Sequence, residues 1–262
     1  MSNILLHVGF QKTGTTSIQY WLRDHERVLA EHEMRFPRAW LHLNTHVELS
    51  LTLTRLSRMT QGRMRGDEWR DPNWRASVHK QVRDDLAAHP NELTILSNED
   101  LSLLRYDDEI VRVRELLGDA VIVAYLREPS EFVASLAAHY SKPTMAGLSD
   151  DPDAFNHVTP DSWLCRYEER IALWRRHFSR VRTLDYDAAT ARDGSVIPSF
   201  LRLLHVPVTT DAGLYRMQRR SDPVPRLPGN RHYGLRFGEP LIDGYHSHEG
   251  GKLPPRSSMP VN

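Results

Sequence analysis

The chain has 262 residues, 40% of them hydrophobic and 26% charged, the proportions of an ordinary globular protein with one sizeable core. Its 34 basic and 34 acidic residues cancel, so no global charge recruits it to nucleic acid or to an anionic membrane. Any anion site must therefore be local. The lone cysteine, Cys165, excludes an internal disulfide and a cysteine-rich zinc site, and between Trp163 and Tyr167 it reads as a buried thiol.

No stretch approaches the ~20 apolar residues of a membrane helix, and the N-terminus opens on strand-forming residues rather than on a charged and then apolar leader. The expectation is a cytoplasmic protein with neither membrane nor nucleic acid as a partner. Lysine occurs only at Lys12, Lys80, Lys142 and Lys252, arginine supplying the other cations, so a lysine within a motif carries weight.

Ile4-Leu5-Leu6-His7-Val8-Gly9 predicts a short buried strand, followed by a Gly/Thr turn and a helix over 17–30. Helices are expected near 45–60 and 74–88, with a polar loop over 61–73 between them. Leu93-Thr94-Ile95-Leu96 predicts a second strand, and a helix over 110–117 stops at Gly118, a C-cap residue. The run over 120–126 is continuous and rich in β-branched residues, the signature of a central parallel strand. Pro129 opens a helix over 130–140, and residues 142–160 are loop-like in Pro, Gly and Asp. A helix over 161–178, a strand over 181–184 and a last helix over 195–204 complete the pattern.

Strands alternating with helices predict a three-layer α/β domain over 1–215 with a central, mainly parallel sheet, whose ligands bind at the carboxyl ends of the strands. Residues 216–262 form a Pro/Gly/Arg-rich tail without apolar periodicity, either a loop over the ligand or disordered, and dispensable for folding. Within it His246 and His248 lack a third ligand at a telling spacing, and no metal is expected.

The first strand feeds a P-loop-like turn, Gln11-Lys12-Thr13-Gly14-Thr15-Thr16, that opens a helix. Such a turn traps anions, because backbone N–H groups converge at the positive end of the helix dipole, and threonine hydroxyls add donors. In a P-loop nucleotidase the lysine follows the second glycine of G-x-x-x-x-G-K-[ST]; here Lys12 precedes Gly14 and lies at the strand end. The segment His7-Val8-Gly9-Phe10-Gln11-Lys12-Thr13-Gly14-Thr15-Thr16-Ser17-Ile18-Gln19 resembles the phosphosulfate loop of sulfotransferases that use 3′-phosphoadenosine 5′-phosphosulfate (PAPS), and is most similar to bacterial members. That resemblance implies that residues 11–16 bind the donor and that Lys12 contacts its 5′-phosphate and bridging oxygen.

A second match supports the first. The central strand ends at Arg127, and Ser135 follows eight residues later, the separation at which the resemblance implies an arginine and a serine on the donor's 3′-phosphate. A guanidinium fork and a hydroxyl are suited to phosphate oxygens. Alternatively, Arg127 pairs with Glu128 or Glu131 beside an ordinary helix serine.

Transfer of a sulfuryl group needs a base for the acceptor's proton. Glu99, after the second strand, is the candidate, in a place comparable to a glutamate of carbohydrate sulfotransferases; with Ser97, Asn98 and Asp100 it also reads as a helix-capping cluster. His46 and His139 are the alternatives. The resemblance implies a sulfotransferase acting on a carbohydrate or small-molecule hydroxyl without a metal, with Trp40, Trp69 and Trp74 either lining a sugar site or packing in core and loops. Rival readings are a P-loop kinase and a catalytically inactive nucleotide-binding relative. The adenine-stacking tryptophan of the animal cytosolic enzymes is Ser17 here, and their C-terminal R-K-G loop is lacking, with Arg216, Arg219 and Arg220 comparable in position and charge.

Overall fold

The computed structural model describes residues 3–38, 44–143 and 145–209. Five strands, β1 (Ile4–Val8), β2 (Met34–Arg35), β3 (Leu93–Asn98), β4 (Val121–Leu126) and β5 (Val181–Asp185), form one sheet in the order β2-β3-β1-β4-β5. All four pairings are parallel, with Leu6 of β1 opposite Leu96 on one side and Ile122 on the other. Helices cover both faces, which makes the three-layer α/β architecture expected from the alternation of elements. Among the described residues no helix is long and apolar enough to cross a membrane.

Because successive side chains of a strand point to opposite faces, the continuous apolar runs divide into two cores. Ile4, Leu6, Val8, Leu96, Ile122, Ala124 and Leu126 face one layer, built from α3 (Val47–Leu53), α4 (Pro72–Ala88), α5 (Asp107–Leu117), α6 (Pro129–Tyr140) and α7 (Tyr167–His177). Leu5, Ile95, Val121, Val123 and Tyr125 face the other, built from α1 (Thr15–Asp24), α2 (Glu26–Glu31), α8 (Tyr186–Asp193) and α9 (Ile197–Leu203). Cys165 is buried in the first core, as its aromatic neighbours implied.

Several boundaries differ from the sequence pattern, each for a local reason. The expected helix over 17–30 begins earlier, at Thr15, and breaks at His25, whose ring stacks on Trp21 at 4.2 Å and whose Nδ1–H donates to the Trp21 carbonyl at 2.9 Å. The helix expected over 45–60 stops at Leu53, because the Arg63 guanidinium donates to the carbonyls of Leu51, Thr54, Arg55 and Arg58 at 2.6–2.8 Å. Those bonds turn the chain back on itself where a helix would have continued.

The loop expected over 61–73 contains two short 3-10 turns, Arg63–Arg65 and Glu68–Arg70, and α4 starts at Pro72, with the Asp71 carboxylate accepting from the Asn73 N–H. The helix expected over 161–178 is a 3-10 turn, Trp163–Cys165, followed by α7. Two elements, β2 and α8, carry no sequence pattern of their own. Gly118 ends α5 with a φ of 67°, and Pro129 opens α6, both as their residue types dictate.

Candidate functional site

The first three elements of the site are local. β1 ends at Val8, and the loop that follows is drawn tight by the Thr13 hydroxyl, which donates to the Phe10 carbonyl. Lys12 and Gly14 both adopt left-handed backbone, φ 64° and 77°. Turns of this kind bring successive N–H groups to one concave side. Gly9 allows the loop to close: a Cβ there would lie 2.5 Å from Thr15 Cγ2. Helix α1 then starts with no acidic residue in its first turn and no side chain capping it, so no side chain of its own occupies its N-terminal N–H groups at the cleft.

Across from this loop, β4 delivers Arg127, whose side chain is 14% exposed. The guanidinium donates to the Lys12 carbonyl at 3.4 Å and to Glu131 at 3.2 Å, stands 3.9 Å from Asp187, and lies 5.3 Å from the Tyr186 ring centre. Its Nε, though buried, has no hydrogen-bond acceptor, the buried Thr15 hydroxyl has no partner, and Gln11 Oε1 has no donor. The alternative pairing with Glu131 therefore exists and still leaves donor capacity unused. Gln11 is held in place by its Nε2, which donates to the Tyr140 hydroxyl at 3.1 Å.

β3 contributes the third wall. The turn after it is capped by Asn98, whose side chain accepts from the Asp100 N–H at 2.7 Å, so the Glu99 carboxyl is not needed as a cap and lines the cleft. Burial, then the neighbouring Asp100, push the Glu99 pKa up to about 7, against the opposing pull of Lys12 and Arg65. Burial also lowers the Lys12 pKa, Glu99 working against that and Lys142 and Arg127 adding to it. His139 is likewise held below its ordinary value by burial, then by Lys12 and Lys142.

Gln11, Lys12, Gly14, Thr15, Thr16, Glu99 and Arg127 thus line one cleft of about 610 Å³ at the carboxyl edge of the sheet. Two sequence candidates stand apart. The Thr13 hydroxyl is turned back into the loop, leaving only its backbone N–H for a ligand. Ser135 is half-buried on α6, one turn before the cleft-lining His139, and is not part of the cleft wall.

His46 is excluded from proton transfer by its bonding. Its Nδ1 accepts from the Ser97 N–H at 3.0 Å, its Nε2–H donates to the Pro37 carbonyl at 3.0 Å, and burial drives its pKa down to about 4. Trp69 is buried beneath the Arg63 guanidinium and bonded to the Arg63 and Gly66 carbonyls, while Trp74 packs on the first core; both serve packing rather than a sugar site. Trp40, Arg216, Arg219, Arg220, His246 and His248 lie outside the described residues, as does the whole 216–262 tail. Among the described residues no group of three or more His, Cys, Asp or Glu side chains is placed to hold a metal ion.

The far wall was not singled out from sequence. Tyr186, Asp187, Thr190, Gly194, Ser195 and Val196 come from α8 and the turn into α9. The only signal was their position after a strand, since ligand-binding residues of parallel sheets follow strand carboxyl ends.

A sequence profile described as the Sulfotransferase family matches residues 5–211. The fold is similar to that of a sulfotransferase from Alicyclobacillus acidocaldarius, at 17% identity and a TM-score of 0.53, covering 85% of this chain and 87% of that one. A sulfotransferase domain from the curacin biosynthetic pathway aligns at 11% identity and a TM-score of 0.42, over 82% of this chain and 78% of that one. No curated protein is significantly similar to the chain in sequence. With the profile spanning most of the α/β domain, the strand–loop–helix at its N-terminal end included, the chain belongs to the Sulfotransferase family.

Proposed function

We propose that the protein moves a sulfuryl group from PAPS to a hydroxyl of a carbohydrate or small-molecule acceptor. The observation that carries this reading is the joining, in one cleft, of an anion loop, a buried arginine with unused donor capacity and a carboxyl poised near neutrality. The donor supplies an activated sulfur–oxygen bond; every other contribution comes from the chain.

The N–H groups of residues 11–16 and the Lys12 ammonium hold the 5′-phosphosulfate end, and Arg127 holds the 3′-phosphate. The Tyr186 ring offers an aromatic face to the base. Glu99 takes the proton as the acceptor oxygen bonds to sulfur. The bond from sulfur to the 5′-phosphate oxygen breaks, and its electron pair leaves on that oxygen, where Lys12 meets the charge. A pKa near 7 suits a base that must accept and then release a proton at neutral pH.

The test is calorimetric titration with 3′-phosphoadenosine 5′-phosphate, with ADP as control and no added metal. Selective binding that Arg127→Ala weakens at least tenfold, followed by turnover of PAPS on a hydroxyl acceptor, supports the reading. Preference for ADP or ATP with Mg²⁺ would overturn it in favour of a kinase, and binding without turnover on a broad acceptor panel in favour of an inactive relative.

A further inference from the structure

The far wall of the candidate active site carries a carboxylate that the transfer chemistry above does not use. Asp187 lines the cleft from the first turn of α8. Capping of that helix falls to Asp185, whose carboxylate accepts from the Ala188 N–H at 2.8 Å. Asp187 is bonded elsewhere. Its Oδ2 accepts from the Glu128 N–H at 2.8 Å, which ties α8 to the end of β4 directly after Arg127. Its Oδ1 stands 3.9 Å from Arg127 Nε, beyond hydrogen-bond distance, and accepts no hydrogen bond among the described residues. Each oxygen of a carboxylate accepts hydrogen bonds, so Asp187 is held by one oxygen and open to a ligand through the other.

The surroundings select the kind of group that fits. Arg127 is the cation beside Asp187, while the carboxylates of Asp185 and Glu131 add negative charge to the same place. A phosphate oxygen is therefore repelled at Oδ1, and a neutral hydrogen-bond donor is favoured. The neighbouring side chains do not supply one. The Thr190 hydroxyl donates to the Asp187 carbonyl at 3.1 Å, and the Tyr186 ring lies against the Arg127 guanidinium at 5.3 Å.

The donor nucleotide carries such a group. In PAPS the 2′-hydroxyl stands on the ribose carbon next to the one that bears the 3′-phosphate, so a phosphate on Arg127 brings that hydroxyl to the residue beside Arg127. The amino group of the adenine lies at the far end of the base, and the acceptor hydroxyl belongs at Glu99. An acid that accepts from a ribose hydroxyl is how dinucleotide-binding α/β folds recognise their nucleotide. Here too the acid follows a strand of the parallel sheet, at its carboxyl edge.

Resting on the PAPS reading, we propose that Asp187 Oδ1 accepts a hydrogen bond from the 2′-hydroxyl of the donor's ribose and so distinguishes a ribonucleotide from its deoxy counterpart.

Calorimetric titration of the full-length protein compares 3′-phosphoadenosine 5′-phosphate with 2′-deoxyadenosine 3′,5′-bisphosphate, which lacks only that hydroxyl. The wild type is expected to bind the ribonucleotide about tenfold more tightly, the lower end for a hydrogen bond to a charged group, because the Asp187 side chain is 39% exposed. Asp187→Asn, whose amide oxygen can still meet the Glu128 N–H, should reduce the ratio, and Asp187→Ala should bring it to within about twofold of unity. The ratio separates this contact from a structural role: displacement of Arg127 weakens both ligands alike, since both carry the 3′-phosphate. Glu131→Gln, which removes the other carboxylate on Arg127, should leave the ratio intact. Circular dichroism establishes that each variant is folded. Equal binding of the two ligands by the wild type would overturn the proposal, as would a ratio undiminished in Asp187→Ala or one that Glu131→Gln lowers equally. Failure of the wild type to bind either ligand has a different meaning: it removes the donor site itself, and this contact with it.

Discussion

Glu99 is pulled in two directions. Burial and Asp100 favour its neutral form, while Lys12 and Arg65 favour the carboxylate, and the balance places its pKa at about 7. A base must be deprotonated to act, so the rate should climb as pH rises toward 7 and level off above it. Glu99→Gln should abolish that limb and lower kcat by about 10²–10⁴-fold, checked by a pH–rate profile with the donor saturating. The same shift affects stability with a fixed sign. The folded state holds the Glu99 proton more tightly than the unfolded state, whose ordinary value is 4.5, so stability falls as pH rises from 4.5 to about 7. Urea melts across that window should fall less steeply in the glutamine variant. Gly9 makes a steric demand instead: Gly9→Ala would set a methyl 2.5 Å from Thr15 Cγ2 and distort the loop, and calorimetry should show nucleotide affinity reduced at least tenfold while the fold persists.

Buried arginines without a carboxylate partner hold the elements around the site. Arg63 gathers four carbonyls and is covered by Trp69, with its pKa lowered to about 10 by burial and still charged at neutral pH. Arg170 of α7 donates to the carbonyls of Leu164 and Ser102 and lies 3.9 Å from the Phe10 ring, bracing the loop from beneath. Arg63→Ala should cost on the order of 3 kcal/mol by urea unfolding, since each hydrogen bond to a charged donor is worth about 1.5–3 kcal/mol and part of that returns through water. Limited proteolysis of the variant should cut first within 54–70, the segment that Arg63 ties together. Arg63→Lys, which lacks the planar fork, should recover only part of the loss. In sequence this arginine is one polar residue in a predicted loop, and the helix it cuts short ends at Leu53 rather than at 60. Its four acceptors become neighbours only after the chain has turned.

For the molecule as a whole, the described fold closes soon after α9: Val206 packs in the second core, and the Trp21 indole N–H donates to the Thr209 hydroxyl at 3.2 Å. A chain ending at Asp222 should therefore stay soluble and melt within about 3 °C of the full-length protein, a shift equivalent to ~1 kcal/mol or less. Insolubility of that fragment would show that residues beyond 222 belong to the folding unit.

The layer architecture and the strand, tight turn and helix over residues 4–24 are legible in the sequence, because both rest on short-range pattern. Alternating strands and helices dictate a parallel sheet, and a strand, a tight turn and a helix meet without help from elsewhere in the chain. Arg127 and Glu99 were legible for the same reason: each follows a recognisable strand, and parallel strands bring their carboxyl ends to one edge. The packed fold accounts for the remaining features. It assigned His46 to a backbone brace, turned the Thr13 hydroxyl inward, left Ser135 off the cleft wall and supplied Tyr186 and Asp187 as its far side. Those outcomes depend on burial, charge neighbours and hydrogen-bond partners contributed by residues tens of positions away, which no local spacing encodes.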